Sequence, residues 1–179
     1  ERRGLNNVKT TAYALDFLNT KKAKEVFTKN NIFNEVELEA RSEIFFEAYI
    51  LKLQIEARIL GEMALNEILP VAITYQNQLI ENVKGLKEIG LNKEAYASQL
   101  DLISRISDHV NVMEQDVRNM IEARKVCNVI EHASEKAKAY CDKVKPYFDT
   151  IRYHADKLEL LVDDKIWPMP KYRELLFLK

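Results

Sequence analysis

Leu65-Asn66-Glu67-Ile68-Leu69-Pro70-Val71-Ala72-Ile73-Thr74-Tyr75-Gln76-Asn77-Gln78-Leu79-Ile80-Glu81-Asn82-Val83-Lys84-Gly85-Leu86 is the stretch whose reading decides the fold. Leu65, Ile68, Ala72, Tyr75, Leu79 and Leu86 recur at steps of three, four or seven, so they share one stripe of an α-helix. The stripe keeps its phase across Pro70. A proline inside a helix costs about 3 kcal/mol and kinks it, whereas a loop would break the phase. The pattern therefore predicts one long bent helix rather than two. Upstream, Asn34 followed by Glu37 makes a capping-box start, with Phe33 ahead of it as a staple residue. Downstream, Gly90 supplies the stop.

Asn92 is expected to cap a second long helix, from about Lys93 to Glu131. Its stripe is Ile103, Ile106, Val110, Met113, Val117, Met120 and Cys127, close to a 3.5-residue repeat. Ser134 is expected to cap a third helix, with Ala137, Tyr140, Val144, Phe148, Ile151, Leu158 and Leu161 on its stripe. Pro146 should kink this helix as Pro70 kinks the first. Short connections at Gly90 and at His132-Ala133 turn consecutive helices antiparallel. No segment alternates as a strand does. The expected fold is all-α: an elongated, antiparallel, coiled-coil-like bundle of three long helices over residues 34–166. A helical arm (residues 1–33) precedes it and a Pro-terminated apolar tail (residues 167–179) follows.

In the arm, Thr10 or Thr11 caps a helix toward Leu18. A second helix starts after Thr20 and stops near Asn30-Asn31. The arm holds seven basic and three acidic residues, a balance of +4. Residues 34–69 reverse it, with eight Glu against Arg41, Lys52 and Arg58, or −5. The lysines are read as a solvated face, or as a means of docking the arm on the acidic helix beside it. At the other end, Asp163 through Pro170 is expected to end the third helix, because Pro168 and Pro170 forbid its continuation. Tyr172, Leu175, Leu176, Phe177 and Leu178 are too apolar for a free tail. They are expected to fold back on the bundle or to dock on another chain.

Composition bounds the function. The chain has 179 residues, 47% hydrophobic and 31% charged, with four Gly and four Pro. That supports one helical domain with a real core. A net charge of −1 and a pI near 6.4 argue against nucleic acid or a membrane surface as a partner. Around Lys145, Tyr147, Arg152 and Tyr153, the acids Asp142, Asp149 and Asp156 cancel the field. Cys127 and Cys141 form no disulfide framework or zinc pattern and read as free thiols of a reducing cytoplasm. No apolar run is long enough to span a bilayer. The N-terminus lacks a signal pattern, and a chain beginning at Glu1 fits a piece of something longer.

A search for chemistry returns nothing. Helical di-iron sites need Glu-x-x-His, but Ile106, Val129 and Ile151 precede His109, His132 and His154 by three. Gly4, Gly61, Gly85 and Gly90 are too dispersed for a phosphate loop. Ser42, Ser98, Ser104, Ser107 and Ser134 sit at polar helical or cap positions, and no triad is evident. Cys127 and His132, five residues apart, do not share a helix face. Glu43, Glu56 and Glu62 read as surface charges, and Met63, Met113 and Met120 as core filler. No catalytic, cofactor-binding or metal residue is assigned.

Several segments in order resemble the C-terminal helical region of class III glutamine synthetases. They are Arg2-Arg3-Gly4-Leu5-Asn6-Asn7 through Leu15, Ile32-Phe33-Asn34-Glu35 through Ile44, Gln54-Ile55-Glu56-Ala57, Ile68-Leu69-Pro70 through Gln76, and Val162 through Tyr172 around Trp167-Pro168-Met169-Pro170. The resemblance implies a parent enzyme that makes glutamine from glutamate, ammonia and ATP. Its ATP and divalent-metal sites would lie in a catalytic domain upstream, since no position here matches those motifs. It also implies a cytoplasmic homo-oligomer. This chain would then be an assembly or stabilising module, inactive alone, with its partners being the catalytic domain of the same chain and neighbouring subunits. The alternative is a stand-alone coiled-coil adaptor that binds a partner helix.

Overall fold

A computed structural model describes residues 7–176 of the chain. Phe177, Leu178 and the Arg2–Asn6 part of the family-like segment lie outside the described residues. Every regular element among the described residues is helical. The arm contains α1 (Thr11–Ala14), a 3₁₀ turn (Leu15–Asn19) and α2 (Lys21–Lys29). The first long helix comprises α3 (Glu35–Met63), a π turn (Ala64–Ile68) and α4 (Leu69–Glu88). A 3₁₀ turn (Lys93–Tyr96) leads into α5 (Ala97–Asn128). The third comprises α6 (Ala133–Ala139), a π turn (Tyr140–Val144) and α7 (Pro146–Leu161), and α8 (Tyr172–Leu176) is short.

Several of the local signals act as their chemistry requires, although Thr10 ahead of α1 makes no side-chain capping bond. The Thr20 hydroxyl accepts from Ala23 N at the start of α2. At the start of α3 the Asn34 amide oxygen accepts from Glu37 N, and the Glu37 carboxylate accepts from Asn34 N, both at 2.9 Å. Phe33 lies against Phe27 with the Arg41 guanidinium over its ring at 4.4 Å. The end of α4 is a Schellman turn: Leu91 N bonds Leu86 O, Gly90 N bonds Lys87 O, and Gly90 takes φ +86°. Asn31 closes α2 in the same way at φ +53°, with Ile32 N on Phe27 O.

Both internal prolines are accommodated by one device. Pro70 has no N–H for the carbonyl of Asn66, four residues back, and its ring crowds that carbonyl. Leu69 N, one residue earlier, reaches back five residues to Ala64 O, which opens the π turn. Lys145 N does the same to Tyr140 O ahead of Pro146, at 3.0 Å. The helix thus runs through each proline without a loop, and the stripe stays in phase. In the second π turn the extra residue buries two consecutive side chains, Tyr140 and Cys141.

The chain divides into two compact units. The first comprises the residues up to Arg58 with Met120–Tyr147, and the second comprises Ile59–Asn119 with the residues from Phe148 onward. The first buries Ala12, Leu38, Phe46, Leu53, Ala57, Met120, Cys127, Ala137, Tyr140 and Val144. Its polar centre is a closed triangle. Tyr140 Oη donates to Asn128 Oδ1 at 2.6 Å, and Gln54 Nε2 donates to Asn128 Oδ1 at 3.0 Å and to Tyr140 Oη at 3.1 Å. The second unit buries Ala64, Ile68, Ala72, Ile106, Met113, Val117, Ile151, Leu158, Val162 and Trp167. There Gln76 Nε2 donates to Ile103 O and Ser107 Oγ, and Asn82 Nδ2 to Gln99 Oε1.

Three boundary expectations need correction. α5 stops at Asn128, short of Glu131. The third helix starts at Ala133 behind His132, whose side chain makes no capping bond, so Ser134 lies inside the helix. It also ends at Leu161, before the prolines. Asp163 turns the chain there, its carbonyl accepting from Ile166 N and Trp167 N and its carboxylate from Lys165 N. Lys171 Nζ then reaches back to Glu159 O at 2.9 Å and pairs with Asp164. Trp167 is buried by this return, whereas Leu175 and Leu176 are exposed.

Gly85 and Gly90, near the end of α4, separate conformation from space. Gly90 needs a positive φ, so Gly90→Ala should destabilise the chain by about 1 kcal/mol. Gly85 lies in the last turn of α4 with open space around a Cβ, so Gly85→Ala should stabilise by roughly 0.5–1 kcal/mol. Urea denaturation of the two variants should show midpoints displaced in opposite directions; displacement in one direction would contradict this.

Candidate functional site

The polar side chains concentrated in the first unit hold the arm. Asp16, on the 3₁₀ turn after α1, accepts from Ser134 Oγ at 2.8 Å and pairs with Lys138. The Ser134 hydroxyl therefore serves the arm rather than its own helix. Tyr13 Oη donates to Asp142 Oδ2 at 2.5 Å, with Lys138 Nζ 5.7 Å from the Tyr13 ring centre. Asn19 Nδ2 donates to Ser42 Oγ, a buried hydroxyl on α3, at 2.8 Å. Lys24 pairs with Glu39. That last contact has the sense expected from the charge reversal, basic arm to acidic helix. Asp16 works in the opposite sense, an acid of the arm on a base of α6. Burial alone would raise its pKa, but the bonds from Lys138 and Ser134 outweigh burial and hold the carboxyl below its usual range.

Asn19, Ser42, Glu43, Glu131, His132 and Ser134 line a cleft beside this contact. Both of its serine hydroxyls are taken up in holding the arm. Cys127 is fully buried and burial raises its thiol pKa, the reverse of an activated nucleophile, while His132 is exposed. Tyr49 Oη is buried beside Cys141, and burial raises its pKa too. Among the described residues, no three His, Cys, Asp or Glu side chains are placed to hold a metal ion, and no helix is long and apolar enough to cross a membrane. Met113 and Met120 are fully buried and Met63 is half-buried.

One pairing escaped the sequence reading. His109 on α5 and His154 on α7 meet in the second unit with their Nδ1 atoms 2.9 Å apart. The spacing places each ring beside a stripe but does not mark the two as partners. His109 follows buried Ile106 by three residues and His154 follows buried Ile151 by three, so each flanks its stripe on the side of a neighbouring helix.

The outer face of α3 is also unexpected. Ile44, Leu51 and Ile55 recur at steps of seven and four, and all are about half exposed or more. They are set apart from the inward series Leu38, Ser42, Phe46, Leu53 and Ala57, so α3 is apolar on two faces.

Comparison with known proteins gives one consistent answer. Residues 1–87 match the family model of the glutamine synthetase C-terminal domain. The chain is 47% identical over 182 residues to a glutamine synthetase of Bacteroides fragilis, covering 99% of this chain and 25% of that protein. It is 31% identical over 180 residues to the type-3 glutamine synthetase of Dictyostelium discoideum, covering 99% and 24%. A glutamine synthetase of Butyrivibrio fibrisolvens is 26% identical over 176 residues, covering 98% and 25%. The chain thus spans about a quarter of the length of the curated relatives it matches.

The Asp16 contact has a defined pH signature. Its folded pKa lies below the unfolded value, so its contribution is complete above about pH 4–5 and is lost as acid takes the pH down through the folded value. Asp16→Asn should mimic the acid state at neutral pH. It should weaken arm docking by roughly 0.5–1 kcal/mol, a value suited to a partly exposed pair. Amide exchange across α1 and α2 should then quicken while α5 is unchanged. Equal rates in the arm of both proteins would refute the assignment.

Proposed function

Since the chain belongs to the glutamine synthetase C-terminal domain family, we propose that it is the helical C-terminal module of a class III enzyme and serves its assembly. The parent reaction would be ATP-dependent formation of glutamine from glutamate and ammonia in the cytoplasm. ATP and divalent metal would bind in a catalytic domain outside this chain, and the chain by itself would have no ligase activity. The observation that carries the reading is the second apolar face of α3. Leu51 is 56% exposed and Ile44 60% exposed, on a helix whose other face already fills a core. Such a stripe is satisfied by another protein surface. The catalytic domain of the same chain and neighbouring subunits of a homo-oligomer are the partners we assign.

An antiparallel three-helix bundle would give this surface a stiff support. Two contacts support that packing in the second unit. Asn82 meets Gln99, and earlier on the same helix Gln76 meets Ser107, later on the next. Partners that separate in opposite directions from Gly90 are those of an antiparallel hairpin. The expected division, residues 1–33 as arm, 34–166 as bundle and 167–179 as docking tail, belongs to the same proposal.

Charging the stripe in the full-length enzyme tests it. Ile44→Glu with Leu51→Glu would bring two unpaired carboxylates into the interface, at about 2 kcal/mol or more each. Sedimentation velocity should show dissociation into smaller species, with helix content by circular dichroism unchanged. Unaltered assembly would count against the reading. So would γ-glutamyl transfer by residues 1–179 alone.

A further inference from the structure

We propose that His109 and His154 form a proton-sharing clasp between α5 and α7 that holds while the pair carries at most one extra proton and opens when it takes a second. The geometry is that of a linear hydrogen bond. The ring centres lie 5.1 Å apart and the Nδ1 atoms 2.9 Å apart. The difference is nearly the full sum of the two centre-to-nitrogen distances, so each Nδ1 points along the line to the other. Two imidazoles converging on one metal ion would instead be bent toward it.

The proton accounting follows from this arrangement. In the neutral pair, one ring donates its Nδ1–H and the other accepts at Nδ1, carrying its own hydrogen on Nε2. The first added proton binds Nε2 of the donor ring. The hydrogen bond then survives and becomes charge-assisted. The acceptor ring has one free lone pair, and that lone pair is the one in the bond. A second proton must therefore land on the shared Nδ1. It removes the acceptor and leaves two imidazolium rings in contact. The two steps belong to the pair rather than to either residue.

The surroundings favour the low-proton states. Arg105 and Asp108 face the pair from α5, and Lys157 and Tyr153 from α7, with the Tyr153 ring edge-on to His154 at 5.2 Å. From α4, the nearby Gln76 on Ser107 is neutral. Burial lowers the pKa of His109 first, the charge of His154 adds to it, and Arg105 and Lys157 outweigh Asp108. A folded pKa below the unfolded value means that the contribution is present above about pH 6.5 and is lost as the pH falls.

Imidazole nitrogen shifts of the full chain, followed by NMR from pH 8 to 4.5, test the clasp. His109 and His154 should titrate together in two steps, the second displaced to lower pH. His154→Gln keeps a hydrogen-bonding side chain but removes one titration. Between pH 7 and 5 the unfolding equilibrium constant of the native chain should rise roughly fivefold more than that of the variant, about one net hydrogen bond. His109→Gln should repeat this result should His154→Gln fail to fold. Independent titration of the two rings, each in a single step at the ordinary imidazole value, or equal pH slopes in native and variant chains, would overturn the proposal.

Discussion

Two peptide nitrogens without hydrogens, at Pro70 and Pro146, set the constraint under which this chain buries its apolar stripes. Each would break an α-helical ladder and displace every side chain beyond it. The five-residue bonds Leu69 N to Ala64 O and Lys145 N to Tyr140 O absorb the defect within one turn. Ile68 and Ala72 stay inside on either side of one proline, and Val144 and Ile151 on either side of the other. In the second case the wider turn also brings Tyr140 and Cys141 inward together, and that places the Tyr140 hydroxyl where Asn128 and Gln54 can satisfy it. A buried hydroxyl left unpaired would cost about 1–3 kcal/mol, so the π turn and the polar triangle depend on each other.

Polar residues in this fold are spent on holding elements together. Ser42 and Ser134, the serines of the cleft, secure the arm through Asn19 and Asp16. Gln76 and Asn82 tie α4 to the segment that follows Gly90. His109 and His154 bond to each other. Catalytic side chains are poised toward an open site with perturbed pKa values. Here the shifts have structural causes, from the ion pair and hydroxyl at Asp16 to the burial of Cys127.

Periodicity and capping chemistry were legible in the sequence because both are local. The phase across Pro70, the Asn34–Glu37 box, the Thr20 and Asn92 caps and the Gly90 stop depend on residues within a few positions of one another. The stripes of the second and third helices are buried at Ile106, Met113, Val117, Met120, Tyr140, Ile151 and Leu158, as helical periodicity predicts. The order of family-like segments was also readable. The start of the third helix and the cause of its end were misread for one reason. Ser134 and Pro168 carry strong cap and stop propensities, but Asp16, distant in sequence, claimed the serine, and Asp163 turned the chain before the prolines.

The sequence by itself determined an all-helical chain, its apolar stripes, its turns at Asn31 and Gly90, and its family, because these rest on composition, spacing and backbone stereochemistry. Only the tertiary structure decided which polar groups meet. The partners Asp16 and Ser134, Gln54 and Tyr140, and His109 and His154 lie far apart along the chain, and nothing local distinguishes them from solvated neighbours. It also decided that α3 has a second apolar face. In the sequence Ile44, Leu51 and Ile55 look like any other buried helical positions. They became a surface once Leu38, Phe46, Leu53 and Ala57 had filled the core.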